Sequence, residues 1–169
     1  MKCQQCCVEA VSGAYYCAKC GANLEAVRQI PLADFTWPEF ATLITPLGWT
    51  DIHEGSDNHL GVRGDNTYIW NLWLSSKKDS LFARTSWPIA PGAPEGQLLN
   101  AVNSINENGW AGAGYIHVQE EDDAKSFVFF FSIPLTNSIS AAEVDFHLRR
   151  VDREVEVLIA RARMSEFFA

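Results

Sequence analysis

Hydrophobic residues recur along this chain with two different periods, and the two periods define its predicted elements. Spacings of three and four residues predict helices over 36–47, 95–108 and 140–163. Alternation or short apolar runs predict strands near 50–54, 59–63, 67–74, 80–87, 113–120 and 126–134. Segments rich in Gly, Pro, Asn and Asp separate these elements, as turns require.

The first and third helices each begin with a capping box. Thr36 precedes Glu39 by three residues, and Ser140 precedes Glu143 in the same way. In the second helix, the residues expected to point inward are Leu98, Leu99, Val102 and Ile105. The third helix carries an apolar stripe with spacings of 4, 3, 4, 3 and 4 residues: Val144, Leu148, Val151, Val155, Leu158 and Ala162. This helix is expected to pack on a sheet, a partner, or both.

The strand predicted at 126–134 is apolar at both its odd and its even positions. Such a strand is expected at the centre of a sheet covered on both sides, or at a subunit interface. The whole order of elements predicts an α+β fold with an antiparallel sheet of about five strands and helices packed on it, arranged α-β-β-β-α-β-β-α.

Four cysteines lie in two Cys-x2-Cys pairs at the start of the chain: Cys3, Cys6, Cys17 and Cys20. Two such pairs place four thiolates around one tetrahedral Zn²⁺, and a site filled by four thiolates leaves no open position for a catalytic water. A disulfide framework is the alternative in an oxidising compartment. No apolar leader precedes Cys3, so a cytoplasmic location and a structural zinc are expected. Cys7 is interpreted as a small residue beside the pair.

The segment from Val11 to Leu24, with Gly-Ala-Tyr-Tyr-Cys-x2-Cys-Gly-Ala at its centre, resembles the short zinc ribbons at the N-termini of many bacterial proteins. Cys7 stands where glycine is common in those ribbons. The resemblance implies a scaffolding or protein-contact role for residues 1–25. A linker is expected at 26–34, followed by the α+β domain at 35–169.

Two further segments carry a second resemblance. Glu39–Trp49 forms a helix that ends in Leu-Gly-Trp, and Leu99–Asn106 contains an Asn-x2-Asn repeat. Together with the strands and the helix that follow, they resemble the YbjN-like family of bacterial sensory-transduction-regulator domains, whose fold is like that of type III secretion chaperones. The resemblance implies a non-enzymatic protein-binding domain, with a second copy of itself as one candidate partner.

Composition excludes some functions. The chain has 169 residues, 13 Lys and Arg against 21 Asp and Glu, and a formal net charge of −8. An acidic chain repels phosphate backbones, so nucleic-acid binding is not expected. Its longest apolar run is too short to span a bilayer, so no membrane association is expected.

The candidate site residues fall into three groups. His53, Asp57 and His59 would form the cleft of a small enzyme if they converge, but polar residues around a solvated turn are the favoured interpretation. The second group lies on the second helix, either as a polar seam that meets a sheet edge, a loop or a partner, or as a solvent-facing side: Asn100, Asn103 and Asn106. The third is the pair Trp70 and Trp73, which lie on opposite faces of one predicted strand, so that one of them can face a partner.

The leading hypothesis is a non-enzymatic protein-binding, chaperone-like or regulatory module that carries a structural zinc ribbon. A small enzyme built on the histidines is the first alternative. Nucleic-acid contact through the ribbon is the second, and it predicts retention that falls with salt.

Overall fold

Eight strands and three α-helices make up the part of the chain that the structure describes. This computed structural model describes residue 6 and residues 8–9, 19–20, 29–54, 59–63, 68–109, 112–121 and 123–169. The elements are β1 (Gln29–Pro31), α1 (Trp37–Ile44), β2 (Thr50–Glu54), β3 (Leu60–Arg63), β4 (Ile69–Leu74), β5 (Ser80–Pro88), α2 (Glu95–Asn108), β6 (Ala113–Val118), β7 (Lys125–Pro134), β8 (Ser138–Ser140) and α3 (Ala141–Arg161). The predicted α+β class is confirmed.

Both predicted capping boxes are confirmed at their N-cap residues. The Thr36 hydroxyl accepts a hydrogen bond from the Glu39 amide at 3.4 Å, and the Ser140 hydroxyl accepts one from the Glu143 amide at 3.4 Å. Helix α1 ends earlier than predicted and continues as a 3-10 turn over Thr45–Leu47, because Pro46 has no amide hydrogen to donate to an α-helical turn.

Six strands form one antiparallel sheet in the order β2-β3-β4-β5-β7-β6. The expectation of about five strands was one strand short, because the segments at 50–54 and 60–63 both pair as strands. A separate two-stranded ladder joins β1 to β8. Strand β1 lies within the predicted linker, and its Ile30 is 3% exposed, so the core of the domain begins inside that segment.

All three helices supply buried side chains to one core together with one face of the sheet. The sheet contributes Trp70, Leu72, Leu81, Ala83, Phe127, Phe129, Phe131 and Ile133. Leu98, Val102 and Ile105 of α2 are buried as expected, whereas Leu99 is 49% exposed. Leu99 follows Leu98 by one residue, or about 100° around the helix, which turns its side chain away from the sheet.

Two indole hydrogen bonds attach α3 to the rest of the core. Trp49 Nε1 donates to Asp145 Oδ1 at 2.8 Å, and Trp70 Nε1 donates to Asp152 Oδ1 at 3.0 Å. The two aspartates are seven residues apart and therefore share one face of the helix. Arg149, between them, bonds Asp145 and also donates to the Leu47 carbonyl. The helices therefore cover one face of the sheet, and the opposite face is left for other contacts.

Candidate protein-binding surface

The second face of the six-stranded sheet, which we call the open face, packs against no element in the described part of the chain. Strand register assigns the side chains to it. Trp73 pairs with Phe82 and Asn71 with Arg84 across β4 and β5, and Arg84 pairs with Phe130 across β5 and β7. All of these alternate with residues of the buried core, so they point to the opposite side of the sheet.

Four aromatic side chains run across the open face, one on each of four neighbouring strands. We call them the aromatic row: Trp73, Phe82, Phe130 and Tyr115. Trp73 stacks on Phe82 with ring centroids 5.6 Å apart and planes inclined by 26°. Tyr115 meets Phe130 edge-on at 5.8 Å. Tyr115 is 40% exposed and Phe130 is 38% exposed.

Arg84 lies in the middle of the aromatic row. Its side chain is exposed, and its guanidinium carbon is 5.5 Å from the centroid of the Trp73 ring. This distance allows a cation–π contact, which places the guanidinium of an exposed side chain beside the ring. The open face therefore combines rigid aromatic area with one positioned cation, and both features are typical of protein-binding hot spots.

Strand β7 accounts for much of the apolar character of the open face. Its odd-numbered side chains, such as Phe127 and Phe129, are buried under the helices. Its even-numbered positions carry Val128 and Phe130 on the open face, where Phe130 is 38% exposed and Val128 is 4% exposed. In the described ranges the helices cover one face of this strand, and on the other face Phe130 stays accessible to a partner.

The two predicted tryptophans occupy different environments. Trp70 is fully buried, and its indole bonds Asp152 of α3, so it is a core residue. Trp73 belongs to the aromatic row of the open face. Strand alternation indicated that the two would be separated, but not which of them would face the core.

The three predicted asparagines are all exposed, and of the three Asn106 hydrogen-bonds another element in the described part of the chain. Its Nδ2 donates to the Gly114 carbonyl at 3.0 Å, and its Oδ1 accepts from the Gly114 amide at 2.7 Å. Both groups belong to β6, the edge strand, so one side chain occupies the place of a neighbouring strand there. Asn100 and Asn103 face solvent.

The histidines that suggested an enzyme are not brought together as a site in the described residues. His53 is exposed and packs its ring over Gly61, with Nδ1 3.0 Å from the Asp51 carbonyl oxygen. It borders a shallow cavity of about 540 Å³ at the gap between β4 and β5, whose lining does not include His59. Asp57 lies outside the described residues.

Of the four predicted zinc ligands, Cys6 is half-buried and Cys20 is exposed. Cys3 and Cys17, together with Cys7, lie outside the described residues. In the described ranges, no cluster of three or more His, Cys, Asp or Glu side chains is placed to hold a metal ion. None of the helices in those ranges combines the length and apolar character needed to cross a bilayer.

Comparison with protein families then identifies the domain. The family described as "YbjN: Putative bacterial sensory transduction regulator" matches residues 39–162, nearly three quarters of the chain. The chain belongs to the YbjN family. The matched residues run from α1 to the end of α3, so they include the whole six-stranded sheet of this YbjN-family protein and its open face. The curated proteins gave no match.

Solved structures with a similar fold include YbjN from E. coli. It is 12% identical, with a TM-score of 0.63, over 80% of this chain and 96% of that one. The Yersinia pestis type III secretion chaperone SycH, solved with a fragment of YscM2, is 21% identical with a TM-score of 0.42, over 70% of this chain and 93% of that one. The HopA1–SchA chaperone–effector complex gives 17% identity and a TM-score of 0.41, over 73% and 91%. At 12% identity, the likeness to E. coli YbjN concerns the fold.

Proposed function

We propose that this YbjN-family domain is a non-enzymatic protein-binding module and that the open face is its docking surface. The observation that supports this most directly is the aromatic row, which leaves Tyr115 40% exposed and Phe130 38% exposed beside an exposed arginine. Clustered exposed aromatic side chains on a folded surface are typical of interaction sites. Their ring contacts hold them in place before binding, which reduces the entropy lost on docking.

Site-specific photo-crosslinking tests the docking surface. The photoreactive residue p-benzoylphenylalanine replaces Phe130 in the cells that make the protein, and irradiation is followed by mass spectrometry. Discrete adducts are expected from this position. The matched control is Val157 of α3, which is 48% exposed and lies on a helix that covers the other face of the sheet. Equal adduct patterns from both positions, or none from Phe130, would contradict the proposal.

We also propose that Cys3, Cys6, Cys17 and Cys20 bind one structural Zn²⁺ in a ribbon that precedes the domain, in a reducing, cytoplasmic compartment. The donor set supports this: four thiolate sulfurs in two Cys-x2-Cys pairs suit Zn²⁺. The measurement is the zinc content of protein purified under reducing conditions. One zinc per chain is expected, and Cys17→Ser is expected to lower it. Zinc-free protein with cross-linked cysteines would overturn this proposal and leave the docking surface unaffected.

A further inference from the structure

The charges on the open face differ from those on the rest of the molecule. Side chains from strands β3 to β7 that point to this face include Arg63 and Arg84 but no Asp or Glu. The whole chain, in contrast, has more acidic than basic residues and a net charge of −8. On the described strands β3 to β7, the aromatic row therefore lies beside cations and no carboxylate, although the protein as a whole is acidic.

We propose that the open face binds a protein segment in which carboxylates alternate with apolar side chains, and that Arg84 selects the carboxylate. This inference rests on the proposed function and names the chemistry of the partner. Arg84 makes no ion pair with any residue in the described ranges. A guanidinium carries its N–H donors in a planar fork, which matches the two oxygens of a carboxylate.

The second cation of the open face is already paired. Arg63 Nε lies 3.0 Å from Asp51 Oδ2 at the β2 edge of the sheet. An incoming acidic group would therefore compete with Asp51 at Arg63, whereas Arg84 is the cation that it meets among the aromatic side chains. A segment with one or two carboxylates, flanked by apolar side chains for the aromatic row, complements this surface in both charge and shape.

The same charge pattern disfavours a second copy of the chain as the occupant. In a two-fold dimer the same patch lies on both subunits. A face-to-face dimer would bring together two faces that each carry Arg84. Neither face has an Asp or Glu on the described strands β3 to β7 that could balance this charge. Like charges across an interface are unfavourable, so a partner of different composition fits better.

Single-stranded nucleic acid is the other class of ligand that stacks on aromatic side chains. It carries one charge for each nucleotide and is bound along a track of several Lys and Arg residues. Among the described residues of the open face, Arg84 is the one arginine without an ion pair, and the net charge of the chain is −8. The surface therefore favours a peptide with few charges over a phosphate backbone.

The test uses the full chain and three matched pools of fluorescein-labelled 12-residue peptides. The pools share the same Leu, Phe and Ser positions and differ at two positions, which carry Glu, Gln or Lys. Fluorescence anisotropy measures binding at physiological ionic strength. We expect the Glu pool to bind at least tenfold more tightly than the Lys pool, and Arg84→Gln to bring the two pools within about twofold of each other. That tenfold ratio corresponds to about 1.4 kcal/mol.

The matched control is Arg153→Gln, which removes the same charge from an exposed position on α3 and is expected to preserve the wild-type preference. Circular dichroism checks that each variant is folded. Arg84→Lys keeps the charge but loses the planar fork, and an intermediate preference supports the role of the guanidinium.

Four outcomes would overturn the inference. The first is equal binding of all three pools that is lost in Phe130→Ser, which leaves the docking surface intact but removes charge selection. The second is that the Glu pool does not bind, or that it binds equally well to wild type, Phe130→Ser and Arg84→Gln. Equal binding to all three proteins would also count against the proposed function. The third is tighter binding of a labelled oligothymidine than of the Glu pool. The fourth is a wild-type dimer in sedimentation that Phe130→Ser dissociates.

Discussion

Asn106 is expected to stabilise the domain, whereas the two other asparagines of α2 are expected to destabilise it slightly. The Asn106 side chain donates to the Gly114 carbonyl at 3.0 Å and accepts from the Gly114 amide at 2.7 Å. Asn100 and Asn103 are exposed on the same helix. Replacing each asparagine with alanine in turn separates the hydrogen bonds from the poor helix propensity that all three share.

The magnitudes follow from two opposing effects. Each hydrogen bond to Gly114 contributes about 0.5–1.5 kcal/mol, so Asn106→Ala loses about 1–3 kcal/mol. Alanine regains up to about 0.7 kcal/mol of helix propensity. The net change for Asn106→Ala is therefore a loss of about 0.3–2.3 kcal/mol when the full propensity gain is regained. Asn100→Ala and Asn103→Ala lose no such hydrogen bond and gain only helix propensity. Each is therefore expected to raise the free energy of unfolding by up to about 0.7 kcal/mol.

Urea unfolding followed by tryptophan fluorescence measures the free energy of unfolding of the three variants and the wild type. Thermal melting gives an independent reading, since 1 kcal/mol shifts the midpoint of a domain of this size by about 2–4 °C. An Asn106→Ala variant as stable as Asn103→Ala would refute the reasoning. It would show that water replaces the side chain at the β6 edge without loss of free energy.

Three other changes test the core. Gly114→Ala would place its new Cβ 2.6 Å from a ring carbon of Phe127. We expect this clash to lower the free energy of unfolding, measured by thermal melting, by about 1–3 kcal/mol. Trp70→Phe removes the indole donor to Asp152. We expect the free energy of unfolding, measured in urea, to fall by about 2–4 kcal/mol. The pKa of Tyr68 is raised by burial and, to a smaller extent, by two carboxylates of α3. The native state thus holds this proton more tightly than the unfolded chain, so stability falls as pH rises above about 10, and Tyr68→Phe should reduce that fall.

Each of these changes has a matched control. Gly96→Ala meets no atom within 4 Å and lies in α2, so it is expected to stabilise by up to about 1 kcal/mol. Trp73→Phe removes a half-buried indole from the open face. It is expected to lower the free energy of unfolding less than Trp70→Phe does. Tyr115→Phe removes the same hydroxyl from an exposed tyrosine and is the control for Tyr68→Phe. Equal losses within a pair would contradict the corresponding explanation.

Local chemistry made most of the elements predictable. The capping boxes at Thr36 and Ser140 marked where two helices begin, because a hydroxyl followed by Glu three residues later satisfies amides at a helix N-terminus. The α3 stripe identified its buried face through its spacing. These signals act within one or two turns of the chain, so no knowledge of distant residues was needed. The number of strands in the sheet was less certain, because pairing depends on distant partners.

The docking surface is the part that sequence reasoning mostly missed. Trp73 was a candidate, but Phe82, Arg84 and Phe130 were not. Each gives only an ordinary strand signal on its own. They become neighbours because β4, β5 and β7 pair in one register, and Arg84 and Phe130 are more than forty residues apart in the chain.

The sequence by itself determined where helices and strands begin, which stripe of each helix is apolar, and that the cysteines are spaced as zinc ligands, because those properties depend on neighbouring residues. Only the tertiary structure decided that Trp70 is buried and Trp73 is not, and that Asn106 reaches the β6 edge. A strand has two equivalent faces until the helices cover one of them. The choice of face, and with it the position of the open face, is made by long-range packing.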